Sequence, residues 1–134
     1  MKKLIINTDG GSRGNPGPAG IGAVIQGESG KVFSKYKEYI GETTNNVAEY
    51  KALILALEKV KDFEVDEIEC RLDSELIVKQ LNGEYKVKDE NMKKLYAKVQ
   101  KLIFFKPVKF VHVRREKNKL ADTLVNEALD KAGK

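Results

Sequence analysis

The chain of 134 residues is poor in the residues that build covalent or soft-metal sites. It contains one cysteine, one histidine and no tryptophan. A single cysteine excludes an intramolecular disulfide and a cysteine-cluster zinc site, and a single histidine excludes a multi-histidine metal site. Cys70 lies in a stretch where apolar and polar residues alternate, which favours a buried, inert thiol over a nucleophile.

Long apolar runs are also absent from the sequence. No run approaches the roughly 18–20 residues that span a bilayer. The three apolar residues Leu4, Ile5 and Ile6 are too few for the apolar core of a signal peptide. We therefore expect a cytoplasmic protein with no membrane partner. A hydrophobic content of 41% with 34% charged residues is typical of a globular protein, and we predict one domain over residues 1–134.

Charge is distributed unevenly along the chain. The formal net charge is +5, but 12 basic and four acidic residues lie between Glu84 and Lys119, a local net charge of +8. The other 98 residues carry 13 basic and 16 acidic side chains, a local net charge of −3. The basic segment favours a polyanionic partner such as nucleic acid. A lysine-rich helix exposed to solvent explains the charge equally well.

Hydrophobic periodicity predicts the order strand, β-hairpin, helix, strand, helix, helix, strand, helix. We predict strands at 3–9, 21–26, 31–40, 68–72 and 108–113, and helices at 46–61, from a cap at Ser74 to 81, at 90–103 and at 118–131. The glycine- and proline-rich stretch 10–20 is predicted to be a loop. Thr43 or Thr44 caps the first helix and Asn118 caps the last. This order predicts an α/β domain with a mixed sheet and helices on its faces.

Four carboxylates occupy positions that structure alone does not require. Asp9 and Asp73 end predicted strands, where open α/β sheets place their ligand crevice. Glu49 lies in the first turn of a helix, near the apolar stripe that faces the sheet, and Asp122 lies in the first turn of the last helix. Singly, each has an ordinary explanation as a turn residue, a strand end or an acid that favours the helix dipole. None of these explains why all four project toward one end of the sheet.

Converging carboxylates indicate a cation site. They repel one another and raise their own pKa values unless cations neutralise them. Oxygen ligands without histidine or thiolate suit Mg²⁺ or Mn²⁺ rather than zinc. Two such ions about 4 Å apart activate a water and stabilise the leaving oxygen of an in-line phosphoryl displacement. In a basic chain, this chemistry favours cleavage of a polyanion.

Four short motifs follow one another on the predicted elements. They are Asp9-Gly10-Gly11-Ser12; Thr44-Asn45-Asn46 with Ala48-Glu49; Asp73-Ser74 with Leu76; and Asn118 with Ala121-Asp122. Together they resemble the type 1 ribonuclease H family (ribonuclease HI). The resemblance implies the ribonuclease H-like fold, a five-stranded mixed sheet flanked by helices on both faces. It also implies hydrolysis of the RNA strand of RNA–DNA hybrids, leaving 5′-phosphate and 3′-hydroxyl ends.

The resemblance also assigns roles to individual residues. It implies that Asp9, Glu49, Asp73 and Asp122 are catalytic and hold two Mg²⁺ ions, with Mn²⁺ as a substitute. Asn45 and Asn46 would read the minor groove, where the 2′-hydroxyl distinguishes RNA from DNA, and a nearby phosphate. The remaining expected substrate contacts are Gly10, Gly11 and Ser12 against the RNA strand, Arg13 and Asn15 at backbone phosphate, and Asn118.

The sequence departs from many bacterial members in two places. Their loop histidine before the last acid has no counterpart here, because His112 lies in an alternating run and is predicted to be a strand residue. Arg114 or Arg115 then serves the product phosphate or only the solvent. The lysine- and tryptophan-rich helix of those members is replaced by a short connection. Its Tyr85, Lys86 and Lys88 are expected to contact the DNA strand, although Tyr85 covering the edge of the core is an equal alternative.

Two other functions fit the same sequence. The first is an enzyme of this fold that also cleaves double-stranded RNA or RNA–DNA junctions, as the similarity of the short form to archaeal members suggests. The second is a non-catalytic module that binds hybrids and is expected to show no metal-dependent stabilisation. The intact set of four acids argues against the second function, because unpaired converging carboxylates cost stability without a compensating role. We expect a monomer in each case.

Overall fold

The computed structural model describes residues 3–104 and 106–134, and its elements follow the predicted order. The strands are β1 (Lys3–Ser12), β2 (Gly17–Gly27), β3 (Val32–Thr43), β4 (Glu67–Leu72) and β5 (Val108–His112). The helices are α1 (Asn45–Lys59), α2 (Glu75–Leu81), α3 (Glu90–Ile103) and α4 (Lys119–Lys131), and a 3₁₀ turn at Arg115–Lys117 precedes α4. His112 is a strand residue, as predicted, and β5 ends there, one residue before the predicted end.

The five strands form one mixed sheet in the order β3-β2-β1-β4-β5. β1, β2 and β3 pair antiparallel, whereas β4 is parallel to both β1 and β5. β1 is therefore the central strand, and it joins the antiparallel half of the sheet to the parallel half. The predicted α/β class and five-stranded mixed sheet are confirmed.

Helices cover both faces of the sheet, as predicted. Side chains alternate along a strand, so neighbouring residues point to opposite faces. Leu4 and Ile6 of β1 belong to the main core, which also contains Leu53 of α1 and Val99 of α3. On the other face, Val24 of β2 packs with residues of α4. α1 and α4 thus approach the sheet from opposite sides.

The prediction of a loop over 10–20 is wrong at both ends. Gly10 to Ser12 continue β1, and they pair with residues 19–21 of β2. Only residues 13–16 lie between the strands. Gly10 and Gly20 mark close approach of helices rather than a loop: a Cβ at Gly10 would lie 2.3 Å from the Ala48 carbonyl carbon, and one at Gly20 would lie 3.0 Å from the Val125 oxygen. Strand glycines of this kind are required where another backbone comes close.

The helix starts use the predicted residues, with one difference. The hydroxyls of Thr44 and Ser74 accept hydrogen bonds from the amides of Val47 and Ile77, both at 3.3 Å. Asn118 occupies the N-cap position of α4, but its side chain makes no capping hydrogen bond. No helix in the described part of the chain has the length and hydropathy of a membrane span.

Candidate metal centre and nucleic-acid groove

Strand register brings two of the predicted acids together. In the parallel pair of β1 and β4, Thr8 lies opposite Leu72. Asp9 and Asp73 are the next residues of these two segments: Asp9 lies in β1 just beyond the last residue paired with β4, and Asp73 directly follows β4. This is the edge at which an open α/β sheet places its ligands.

Glu49 reaches the same edge from the second turn of α1; the prediction of the first turn is wrong, because the helix begins at Asn45. It is only 6% exposed because α1 packs closely over the backbone of Gly10, whose amide donates a hydrogen bond to Glu49 Oε1 at 3.2 Å. Each of Asp9, Glu49 and Asp73 offers a carboxylate oxygen within 4.8 Å of the others. Asp122, in the first turn of α4, lines the same cavity. The structure therefore brings all four predicted acids to one place.

The cluster lacks a compensating positive charge. Among the described residues, no lysine or arginine forms an ion pair with these four acids. Glu49 Oε2 is buried and has no hydrogen-bond partner in the described chain. A buried carboxylate oxygen with no partner is costly in an apolar interior unless a cation binds it.

Burial and mutual repulsion shift the carboxyl groups toward the protonated form. Burial raises the pKa of Asp9 to about 7, and the nearby charges of Asp73 and Asp122 add to the rise, while a hydrogen bond with Glu49 opposes it. Burial, followed by the charge of Asp9, holds the pKa of Glu49 well above its usual range. Perturbed acids of this kind are typical of functional sites.

The acids lie at the base of a cavity of about 410 Å³ that opens to solvent. Residues of β1, the following loop, α1, the turn after β4 and the α4 region form its wall. Of the predicted substrate contacts, this wall includes Gly10, Gly11, Ser12, Arg13, Asn45, Asn46 and Arg115. We refer to this cavity as the groove.

Asn45 is held in the groove wall by its neighbours. Its side-chain oxygen accepts hydrogen bonds from the Ser12 amide at 2.7 Å and the Ser12 hydroxyl at 3.0 Å. Its own backbone amide donates to Asn15 Oδ1 at 3.1 Å. Asn15 therefore positions Asn45. Asn15 is not one of the described residues that line the groove.

Other predicted contacts lie outside the groove wall, in the described chain. Arg114 is exposed beside it, and Asn118 is buried behind it at 2% exposure. Lys86 and Lys88 are exposed on the connection between α2 and α3. Tyr85 on the same connection is 48% exposed, and the Lys79 ammonium lies 5.0 Å from the centre of its ring.

Four residues that line the groove were not among the predicted site residues: Ser74, Val125, Asn126 and Leu129. Asn126 lines the groove, donates to the Asp122 carbonyl at 3.2 Å and accepts from the Arg13 guanidinium at 3.3 Å. Arg13 also forms an ion pair with Asp130 at 2.9 Å. The signal was available, because Asn126 follows Asp122 by four positions and residues at that spacing share a helix face.

Comparison with known proteins places this arrangement in a family. The Reverse transcriptase-like family matches residues 7–128. LC11-RNase H1, isolated from compost by a metagenomic approach and solved in complex with an RNA/DNA hybrid, is 55% identical. The two structures superpose with a TM-score of 0.94 over 98% of this chain and 99% of that one. The chain belongs to the ribonuclease H family.

Curated ribonuclease H relatives extend the comparison. Ribonuclease HI of Halobacterium salinarum is 45% identical over 92% of this chain and 63% of its own length. A bifunctional protein of Mycobacterium tuberculosis is 43% identical over 97% of this chain. The chain spans only 36% of the length of that mycobacterial relative.

Proposed function

We propose that this ribonuclease H hydrolyses the RNA strand of RNA–DNA hybrids with two divalent cations, leaving 5′-phosphate and 3′-hydroxyl ends. The observation that carries the proposal is the cluster of Asp9, Glu49 and Asp73 oxygens at the base of an open groove. The hybrid-bound structure of LC11-RNase H1, a relative with the same fold, supports the choice of substrate.

The residues present fit a divalent cation. The donors are carboxylate oxygens, which Mg²⁺ and Mn²⁺ prefer, and the orphaned Glu49 Oε2 provides an unused ligand atom. Asp9, Glu49 and Asp73 would hold the metal, and Asp122 would complete the set. When bound, divalent cations supply Lewis-acid chemistry that activates water and stabilises the leaving oxygen.

The groove wall offers hydrogen-bond donors to the RNA strand. Because two donors from Ser12 occupy the Asn45 side-chain oxygen, the amide nitrogen of Asn45 is the group left to face the groove. An N–H donor suits a 2′-hydroxyl oxygen or the acceptors on base edges in a shallow minor groove. Asn46 lies next to it in the same wall and extends this donor surface.

We also propose that the enzyme acts as a cytoplasmic monomer. All four acids and the groove wall come from one chain, so no second subunit is needed to complete the site. The one cysteine, Cys70, is buried and free, which suits a reducing compartment. Light scattering at the protein concentration used for hybrid cleavage tests whether the enzyme is a monomer.

The experiment that tests the function uses labelled duplexes of one sequence. RNA–DNA hybrid, double-stranded RNA and double-stranded DNA are each incubated with the protein in Mg²⁺, in Mn²⁺ and in EDTA. We expect metal-dependent cleavage of the RNA strand of the hybrid, with product ends that a 3′-hydroxyl-dependent ligase or polymerase accepts. Comparable cleavage of double-stranded RNA would favour the broader substrate range. Hybrid binding without cleavage in either metal would favour the non-catalytic module.

Arg115 and Arg114 form a matched pair for testing the phosphate contact. Arg115 lines the groove, whereas the adjacent, exposed Arg114 does not. We expect Arg115→Ala to lower kcat/KM on the hybrid by about 5- to 10-fold, because a charge-assisted hydrogen bond to phosphate is lost. Arg114→Ala removes the same charge and is expected to change kcat/KM by less than about 2-fold. Equal losses in steady-state assays of the two variants would mean that only net charge matters.

A further inference from the structure

We infer that Asn118 is a positioning residue. Its buried amide group fixes the relative positions of three segments that carry the acids. The three segments are β1 at Thr8, immediately before Asp9, the residue Asp73 that follows β4, and the first turn of α4. The inference rests on the proposed function, because the relative positions of the carboxylates matter only if they bind a common metal centre.

Asn118 is joined directly to each of these segments. Its side-chain nitrogen donates to the Thr8 carbonyl at 2.8 Å, one residue before Asp9. The same nitrogen donates to Asp73 Oδ2 at 3.2 Å. The backbone oxygen of Asn118 accepts from the Asp122 amide at 3.1 Å. One residue thus fixes a neighbour of Asp9, the carboxylate of Asp73 and the backbone of Asp122.

The chemistry of this contact requires an NH₂ group. A carbonyl oxygen and a carboxylate oxygen are both acceptors, and one amide nitrogen supplies a proton to each. The orientation of the amide follows, because its oxygen in that place would face two other oxygens. The Asn118 oxygen is itself buried without a partner among the described residues, so the donor end is the part that the site uses.

The position of Asn118 at the start of α4 strengthens the argument. An asparagine at an N-cap ordinarily accepts a hydrogen bond from an amide of the first helical turn. Thr44 and Ser74 make this bond at the starts of α1 and α2, but Asn118 does not. Its side chain turns away from its own helix and toward the carboxylates instead. At 2% exposure behind the groove, it is placed to orient Asp73 rather than to touch a substrate.

Asn82 provides a matched control for Asn118. Its side-chain nitrogen also donates to a main-chain carbonyl of a distant strand, that of Phe110 in β5 at 3.3 Å. This bond lies away from the four acids, and Asn82 is not part of the groove wall. Substitution of the exposed Asn82 removes one partly buried hydrogen bond between segments, whereas substitution of Asn118 removes two, one of them to the acid cluster.

The test measures Mn²⁺ binding without substrate, by calorimetry, together with hybrid cleavage. We expect Asn118→Ala to weaken Mn²⁺ binding by about 10- to 100-fold, as for other residues that orient metal ligands. We expect its kcat to fall at least 10-fold while its KM for the hybrid changes by less than about 3-fold. Saturating Mn²⁺ is expected to restore part of the kcat. Asn82→Ala is expected to bind Mn²⁺ as the wild type does.

A second variant guards against simple unfolding. Asn118→Ser retains a good N-cap residue but cannot supply two protons from one atom, so it should fold and show the same loss of Mn²⁺ affinity. Wild-type Mn²⁺ affinity in both Asn118 variants would overturn the inference, as would a rise in KM with unchanged kcat, which would indicate a substrate contact. If the wild type itself neither binds Mn²⁺ nor cleaves the hybrid, the proposed function fails instead.

Discussion

Asp9→Asn is expected to abolish hybrid cleavage and to stabilise the metal-free protein at the same time. Under the proposed mechanism this carboxylate is a metal ligand, and its loss removes several kcal/mol of transition-state stabilisation, which corresponds to at least about a 1,000-fold fall in kcat. The substitution also removes the negative charge of Asp9, which burial and the nearby charges of Asp73 and Asp122 disfavour. We expect the free energy of unfolding in EDTA at pH 8 to rise by about 1–3 kcal/mol. Thermal unfolding in EDTA and in Mg²⁺ measures both effects.

The pH dependence of this stabilisation has a definite sign. The folded-state pKa of Asp9 is about 7, above its ordinary value of 3.8. Its contribution to stability is therefore fully present below pH 4 and is lost as the pH rises through 7. The advantage of Asp9→Asn over the wild type should shrink between pH 8 and pH 5. The stabilisation of the wild type by Mg²⁺ should also be larger at pH 8, because protons compete with the cation.

Glu69→Gln is the matched control, since Glu69 is as buried as Asp9, at 7% exposure for both. Burial disfavours the charge of Glu69, but hydrogen bonds from Arg71 and Lys3 outweigh burial and lower its pKa. Its removal should destabilise the protein by about 1 kcal/mol at pH 8 and leave cleavage intact. If Asp9→Asn destabilised the metal-free protein as Glu69→Gln does, repulsion among the four acids would not be lowering the stability of the wild type.

Gly10→Ala is expected to lower both the stability of the protein and its cleavage activity strongly. A Cβ at this position would lie 2.3 Å from the Ala48 carbonyl carbon and 2.6 Å from the Glu49 amide nitrogen. These are backbone atoms of α1, so the helix must shift away from β1. We expect a loss of about 2–4 kcal/mol in the free energy of unfolding. Because Glu49 moves with the helix, kcat should fall by more than about 100-fold, as a displacement of about 1 Å in a catalytic group permits.

Gly11→Ala is the control for this substitution. Its added Cβ would meet only Asn45 Oδ1 and Val125 Cγ1, both at 3.9 Å, which is ordinary contact. Denaturant unfolding should therefore show a change within about 0.5 kcal/mol. A large loss of stability in Gly11→Ala would show that strand conformation, rather than contact with α1, requires these glycines. A loss of cleavage without a loss of stability would support close approach of the RNA strand to Gly11.

Predictions of helices and strands from the periodicity of one segment were mostly confirmed. The alternation around Cys70 and the helical spacing of α1 are local patterns, and each was visible in a few neighbouring residues. The four acids were predicted from local patterns too, although Asp9 lies within β1 and Glu49 lies one turn later in α1 than expected. The glycines of β1 and β2 misled the prediction because a strand glycine that admits a helix and a loop glycine look alike in sequence.

The sequence by itself determined the order of the elements and the mixed sheet, and it predicted the four acids that line the groove. Only the tertiary structure decided that Arg115 lines the groove and Arg114 does not, and that Asn15 supports Asn45 instead of forming the wall. It also decided that the Asn118 amide turns toward Thr8 and Asp73, which precede it by 110 and 45 positions. With one cysteine and one histidine, the sequence also indicated that any metal site in this chain would use mainly carboxylate oxygens as ligands. The physical reason for the division is range: periodicity and capping act within a few residues, whereas charges and hydrogen bonds converge through the register of distant strands.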